Sequence, residues 1–102
     1  MVATVVMLTS SPSPVRDVQA RPAGGGKVEI AWSPNPERGI EYYELGWQVG
    51  EKGQAQVRKV KGNRAMISLG KGAQGGQAII TVRAVDRFGL PSWDAIPVKL
   101  AI

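Results

Sequence analysis

The sequence predicts an all-β fold, a seven-stranded antiparallel β-sandwich that carries an extra extended arm at its N-terminus. Short runs of the chain alternate between apolar and polar residues with a period of two, which is typical of half-buried strands. Thirteen glycines and seven prolines separate these runs, and no stretch keeps the 3.6-residue period of an amphipathic helix. With 102 residues, 43% of them hydrophobic, the chain is long enough for one domain with its own core.

Four runs show the strongest alternation, and each predicts a strand with one buried face. In KVEIAWS the apolar positions are Val28, Ile30 and Trp32. The inward residues expected of the other three runs are Tyr43, Leu45, Trp47 and Val49 in IEYYELGWQV, Ala78, Ile80, Val82 and Ala84 in AIITVRA, and Ile96, Val98, Leu100 and Ile102 in IPVKLAI.

Three weaker runs complete the set of seven strands that we expect after residue 14. They are VRDVQA, with Val18 and Ala20 inward, QAQVRKV, and AMISL, with Ile67 and Leu69 inward. Glycine-rich or proline-rich turns such as GGG at 24–26 and SPNPERG at 33–39 separate the strands.

The order of several segments along the chain is itself informative. Pro14 is followed by DVQA, then come VEIAW with SPNP, IEYYELGW, Leu69 before a glycine-rich turn, and ITVRAVDRFGLPS. In this order they resemble a fibronectin type III domain, an immunoglobulin-like sandwich, over residues 14–102. The resemblance implies that Trp32 and Tyr43 are core aromatics and that residues 86–92 join the last two strands. Ala78 stands where that family usually has a tyrosine, so the corner before this strand must be closed in another way.

The chemistry of the chain argues against an enzyme. It contains no histidine and no cysteine, so a Ser/His/Asp or Cys/His arrangement and the usual zinc sites are excluded. Paired carboxylates would require Glu37, Glu41 or Glu44 to converge in a cleft, and a small sandwich offers no obvious cleft. We expect no cofactor and no metal site.

The N-terminal arm, residues 1–13, consists of the apolar segment MVATVVML (residues 1–8) and a spacer rich in serine and proline. The apolar segment lacks a basic region and a cleavage site, so it is a poor signal peptide, and it is too short to span a membrane. Since seven strands complete the fold, the segment either packs along an edge of its own domain or adds a strand to a neighbouring subunit. The arm residues that we expect to contact a partner are Val2, Val5, Val6 and Leu8.

Aromatic and loop residues supply the other candidate contacts with a partner. We expect the loop from Asp86 to Ser92 to act mainly as a turn in which Phe88 covers the end of the core; the alternative is that the loop touches partners. Exposed aromatic rings could also stack on sugars, which keeps a carbohydrate partner open. The candidate contacts outside the arm are Tyr42, Arg87, Phe88, Leu90 and Trp93.

The charge is unevenly distributed along the chain. The net charge is +5, and the chain from Lys52 through Val85, with Lys52 included, contains seven basic residues but no acid. They form either a solvated flank or a patch for an anionic partner. We expect the solvated flank rather than nucleic-acid binding, because the block lacks interleaved aromatics. The candidate patch consists of Arg58, Lys59, Lys61 and Arg64.

These features together predict a non-catalytic structural or interaction module that makes protein–protein contacts, or associates with itself, in a larger assembly. The resemblance suggests a decoration or surface protein of a virion, such as a phage capsid or tail. The alternative is an accessory spacer or carbohydrate-binding module of a secreted carbohydrate-active enzyme. Either setting implies an extracellular, cell-surface or virion location.

Overall fold

The two-sheet sandwich expected from the sequence is confirmed. The computed structural model describes residues 11–50, 53–69, 76–92 and 95–101, which form strands and connections without a helix. In the described residues the strands are β1 (Arg16–Gly24), β2 (Lys27–Ser33), β3 (Ile40–Val49), β4 (Gln56–Val60), β5 (Arg64–Ser68), β6 (Gln77–Asp86) and β7 (Val98–Ala101).

The strands form a three-stranded sheet in the order β1-β2-β5 and a four-stranded sheet in the order β4-β3-β6-β7. Every neighbouring pair is antiparallel. Because β1 and β5 are the edges of one sheet and β4 and β7 the edges of the other, the part of the sandwich that the structure describes has two open sides. One is the β4/β5 side and the other is the β1/β7 side.

The core lies between the sheets where the alternation placed it. The ring of Trp32 meets that of Tyr43 edge to face, with 5.4 Å between the ring centroids and 61° between the ring planes. Such pairs add about 0.5–1.5 kcal/mol to the burial of the rings. The other buried apolar residues of this cluster are Val28, Ile30, Leu45, Ile67, Ala78, Ile80, Val82 and Ala84.

Several residues with inward parity are less buried than expected. Trp47 and Val49 are half-buried because they lie toward the end of β3, beside the shorter strand β4. Val18, Ala20, Leu69 and Leu100 are also half-buried and pack at the margin of the core.

The prediction that Ile96 points into the core is wrong. Its side chain is 77% exposed, and it precedes β7, which starts only at Val98. Pro97 lies between them and has no N–H to donate, so the ladder with β6 begins after it. Ile102, the last residue of the same predicted face, lies outside the described residues.

Candidate functional site

The loop that follows β6, residues 87–91 (the tip loop), is fixed by the side chain at its base. The carboxylate of Asp86 accepts hydrogen bonds from the N–H groups of Phe88 and Leu90, both at 2.9 Å. The Asp86 N–H donates to the Leu90 carbonyl at 3.1 Å, and Gly89 donates to the Asp86 carbonyl at 3.0 Å. Gly89 has φ +83°, a left-handed conformation that glycine adopts without strain. The loop is therefore a tight turn with a defined shape.

Ser92 fixes the other end of the tip loop. It is fully buried, and its Oγ accepts a hydrogen bond from the Ala84 N–H at 3.1 Å. Its own N–H donates to the Ala84 carbonyl at 2.7 Å, and Pro91 forms a bridge to Val85. Since both ends are tied to β6, the loop holds its shape independently of any partner.

Phe88 projects from this turn into solvent. Its side chain is 70% exposed, and the guanidinium carbon of Arg87 lies 5.2 Å from the ring centroid. The expectation that Phe88 covers the end of the core is wrong, because the hydrogen bonds to Asp86 direct the turn outward while Val85 and Ser92 are the residues buried beneath it. An exposed aromatic ring beside an arginine has the composition of an interface hot spot.

The tip loop adjoins the connection between β2 and β3, residues 34–39 (the β2–β3 loop). The N–H of Arg87 donates to the carbonyl of Gly39 at 3.2 Å. In the β2–β3 loop, the N–H of Asn35 donates to the Tyr43 hydroxyl at 2.8 Å, which ties the loop to a core aromatic. This end of the sandwich is thus a connected polar framework from which Phe88 extends.

The start of the described chain crosses the β2–β3 loop. Asn35 Nδ2 donates to the Ser13 carbonyl at 2.7 Å, and the Ser13 N–H donates to the carboxylate of Glu37. Burial raises the pKa of Glu37, but hydrogen bonds from the side chain and backbone of Ser13, with smaller ones from Glu37 and Asn35, outweigh it and leave the pKa below its ordinary value of 4.5. The neighbouring Pro12 is buried. An ionised Glu37 therefore holds residues 11–13 in place.

Tyr42 lies on the outer face of the four-stranded sheet and is half-buried. The Lys59 ammonium is 4.9 Å from its ring centroid, a cation–π contact. Glu44 faces Lys59 on one neighbouring strand and Arg83 on the other. Lys59 therefore partly covers the Tyr42 ring, and the same lysine belongs to a row of alternating charges, Lys59, Glu44 and Arg83, across three strands.

The four residues of the candidate basic patch do not share one surface. Arg58 has inward parity on β4, and its Nη1 donates to the carbonyl of Met66 on β5 at 3.0 Å while its guanidinium lies 5.6 Å from the Trp47 ring centroid. Lys59 faces outward from the same sheet, and Lys61 is 3.5 Å from the carboxylate of Glu41. Arg64 faces outward from the three-stranded sheet, on the opposite side of the sandwich. The cluster seen along the sequence is therefore divided by strand alternation.

The β1/β7 side of the sandwich contains an open cavity of about 510 Å³ that sequence reasoning did not identify. We name this cavity the β1/β7 groove. Its lining includes Arg16 and Asp17, and Asp17 has φ +58° in a bulge of β1, where its carboxylate accepts a hydrogen bond from Ser33 at 2.8 Å. The apolar residues that line the groove are Pro14, Val15, Val18, Ile96 and Val98.

The remaining residues predicted to contact a partner or to act as catalytic carboxylates do not add to the site. The contacts expected at Val2, Val5, Val6, Leu8 and Trp93 lie outside the described residues. Leu90 is half-buried in the tip loop. Glu37 accepts a hydrogen bond from Ser13, whereas Glu41 forms an ion pair with Lys61. The expected absence of a catalytic carboxylate pair from the whole chain stays a prediction. Within the described ranges, no group of three Asp or Glu residues could hold a metal ion and no helix is long and apolar enough to cross a membrane.

Comparison with known proteins shows the fold. No family model and no curated protein matches the sequence. The solution structures of the fn3 domain of human collagen alpha-1(XX) are similar at a TM-score of 0.75 and 17% identity, over 91% of this chain and 87% of that chain. The twitchin kinase region from C. elegans is similar at 0.74 and 18% identity, over 91% of this chain and 17% of that chain. The spore cortex lytic enzyme SleM of Clostridium perfringens is similar at 0.72 and 22% identity, over 89% of this chain and 28% of that chain. The arrangement of strands described above is the fibronectin type III fold, and this chain has it.

Proposed function

We propose that this chain is a non-catalytic interaction module that attaches to a protein partner through its tip loop, as a decoration or surface protein of a virion. The observation that carries the proposal is the exposed Phe88 beside Arg87 on a turn held at both ends. This setting is extracellular or on the virion surface.

The fixed shape of the tip loop favours binding. A loop that is already ordered loses little conformational entropy when a partner docks, so more of the contact energy appears as affinity. The hydrogen bonds that the side chains of Asp86 and the buried Ser92 accept provide this order before any partner is present. Phe88 and Arg87 belong to residue types that are enriched at the centres of interfaces.

The residue types favour a non-catalytic role. The chain has no histidine or cysteine to act as a base or a nucleophile. Glu37 and Glu41 bond to different partners rather than to a shared site. These residue types support a role in binding by loops and edges.

Co-sedimentation with the native assembly tests the proposal. The tagged chain is expressed in its source cells, and large particles are separated from free protein by velocity sedimentation. We expect the chain of 10.9 kDa to travel with a much larger particle. Phe88→Ala should lower the bound fraction and raise the Kd at least about tenfold, because truncation of a hot-spot aromatic costs about 2 kcal/mol or more of binding free energy and about 1.4 kcal/mol already corresponds to a factor of ten.

The control is Arg38→Ala, an exposed residue of the adjacent β2–β3 loop. It should leave the bound fraction unchanged. A parent chain that sediments only as free protein, or equal losses for Phe88→Ala and Arg38→Ala, would contradict the proposal.

A second candidate function is that of an accessory spacer or carbohydrate-binding module in a secreted carbohydrate-active enzyme. The similarity to SleM favours it, since that protein is a spore cortex lytic enzyme from a bacterium. Tyr42 is a described aromatic on a sheet face that could stack on a sugar, although Lys59 already lies over its ring.

Binding to glycan arrays and to insoluble peptidoglycan tests the carbohydrate-binding form of this alternative. The parent chain should bind, and Tyr42→Ala should lose most of the binding while Phe88→Ala retains it. If the parent binds neither material, carbohydrate recognition is excluded and only the spacer role remains for the alternative.

A further inference from the structure

We propose that the β1/β7 groove binds the apolar segment of a second copy of this chain, with residues 2–8 of that copy added as a strand alongside β7. The inference deepens the proposed function, since both concern attachment at the periphery of the sandwich. It depends on a different surface from the tip loop, so the two can fail separately.

The groove has the properties of an apolar binding site. Its cavity of about 510 Å³ is lined mainly by Pro14, Val15, Val18, Ile96 and Val98. Ile96 is 77% exposed there, which is unusual for a large aliphatic residue next to other apolar side chains. A strand laid in this groove would cover Ile96 and the half-buried valines together.

The edge of β7 provides backbone partners for an added strand. Among the described residues, β7 pairs only with β6 and is the outermost strand of its sheet. Its outer edge therefore presents N–H and C=O groups that an extended peptide can pair with. β1, on the other side of the groove, has its regular pairing interrupted by the bulge at Asp17 and contains Pro22, so β7 is the better template.

The apolar segment matches the groove in composition and length. Residues 2–8, VATVVML, carry no charged side chain and contain three valines and one threonine, which favour extended strands. Seven residues of strand span roughly 23 Å at about 3.3 Å per residue. This length is sufficient to run past Ile96 and the four residues of β7.

The path of residues 11–13 favours the groove of a second copy over that of the same chain. Ser13 is bonded to Asn35 and Glu37, which follow β2, and β2 lies on the opposite flank of β1 from the groove. The first described residues, 11–13, are therefore tied to the β2–β3 loop rather than to the groove. To reach the groove of its own chain, the apolar segment would have to cross back over β1, whereas no such crossing is needed to reach the groove of a second copy.

Measurement of the molecular mass in solution tests the proposal. We expect the whole chain to self-associate in a concentration-dependent way. Deletion of residues 1–10, or the substitution Ile96→Glu in the groove, should weaken association at least about tenfold, because a charged group would then face an apolar strand.

The matched control is Val57→Glu. Val57 is 64% exposed on β4, the edge strand of the same sheet on the opposite side. It should leave self-association unchanged, as should Phe88→Ala, which separates this proposal from the role of the tip loop. A whole chain that is monomeric at every concentration, or equal weakening by Val57→Glu and Ile96→Glu, would overturn the proposal.

A labelled peptide of residues 1–10 provides a second readout. It should bind to the chain that lacks residues 1–10 and should not bind when that chain also carries Ile96→Glu. Absence of binding to the shortened chain would exclude the groove as the site. Binding of the peptide together with a strictly monomeric whole chain would mean that the segment occupies its own groove, which overturns the exchange between copies.

Discussion

The two open sides of the sandwich differ in whether a side chain bridges the two sheets. On the β4/β5 side, Arg58 crosses from one sheet to the other, donates to the Met66 carbonyl at 3.0 Å and lies over the ring of Trp47. On the β1/β7 side, the described residues leave an apolar groove in which Ile96 is 77% exposed.

We interpret this difference as one between a side that stabilises the fold and the side that we propose to bind a second copy. An arginine can bridge two sheets because its aliphatic stem covers apolar surface while its guanidinium reaches a carbonyl and an aromatic face. The groove has apolar residues on both strands but no such bridge among its lining residues. We therefore expect substitutions on the β4/β5 side to change stability and substitutions on the β1/β7 side to change association.

The largest effect is expected from Leu45→Ala, which removes a fully buried side chain from the core that both sides share. The free energy of unfolding should fall by about 2–5 kcal/mol, from lost burial and the cavity left behind. Urea denaturation followed by tryptophan fluorescence measures it. A loss below about 1 kcal/mol would mean that the core does not lie between the two sheets as described.

The next effect is expected from Arg58→Ala on the β4/β5 side. Loss of the hydrogen bond to Met66 and the contact with Trp47 should lower the free energy of unfolding by about 1 kcal/mol and leave self-association unchanged. Arg58→Lys is the control, and it should recover only part of the loss because an ammonium lacks the planar fork of the guanidinium. Equal stability of the parent chain and Arg58→Ala would show that the bridge contributes nothing.

A smaller effect concerns pH and the attachment of residues 11–13. The pKa of Glu37 is lower in the folded chain than its ordinary value of 4.5, so its contribution to stability is present above pH 4.5 and is lost as the pH falls through the folded pKa. The parent should be slightly more stable than Glu37→Gln near neutral pH, and the difference should disappear at acidic pH. Thermal unfolding of both proteins over this range measures it, and a difference that grows as the pH falls would contradict the assignment.

The smallest effect is expected from Ile96→Ser in the chain that lacks residues 1–10. Because Ile96 is exposed when no strand covers it, the free energy of unfolding should change by less than about 0.5 kcal/mol. The same substitution in the whole chain should weaken association. A large loss of stability in the shortened chain would show that Ile96 belongs to the core after all.

Period-two alternation in the sequence was sufficient to predict the fold. Val28, Ile30 and Trp32 share one face because the pleat of a strand points alternate side chains the same way, and packing against the other sheet buries that face. Alternation was misleading at Ile96, where Pro97 delays the start of β7.

The candidate site was less predictable, because it depends on contacts between residues that are distant in sequence or that compete locally. The exposure of Phe88 follows from the hydrogen bonds that the Asp86 carboxylate accepts from the loop backbone. A sequence pattern does not show whether these bonds or the burial of the Phe88 ring will decide the direction of the turn. The division of Arg58 from Lys59 and Arg64 depends on strand register and sheet order. The β1/β7 groove exists only because the first and last strands, which are edge strands of different sheets, lie on the same side of the sandwich.

Amide hydrogen exchange in β7 tests most directly the claim that the β1/β7 side is a binding side. The N–H groups of Val98–Ala101 that point away from β6 should exchange slowly in the whole chain and rapidly after deletion of residues 1–10, while the N–H groups of the tip loop exchange alike in both. Equal exchange of the outer β7 amides in the two proteins would show that no strand covers this edge and would contradict the account.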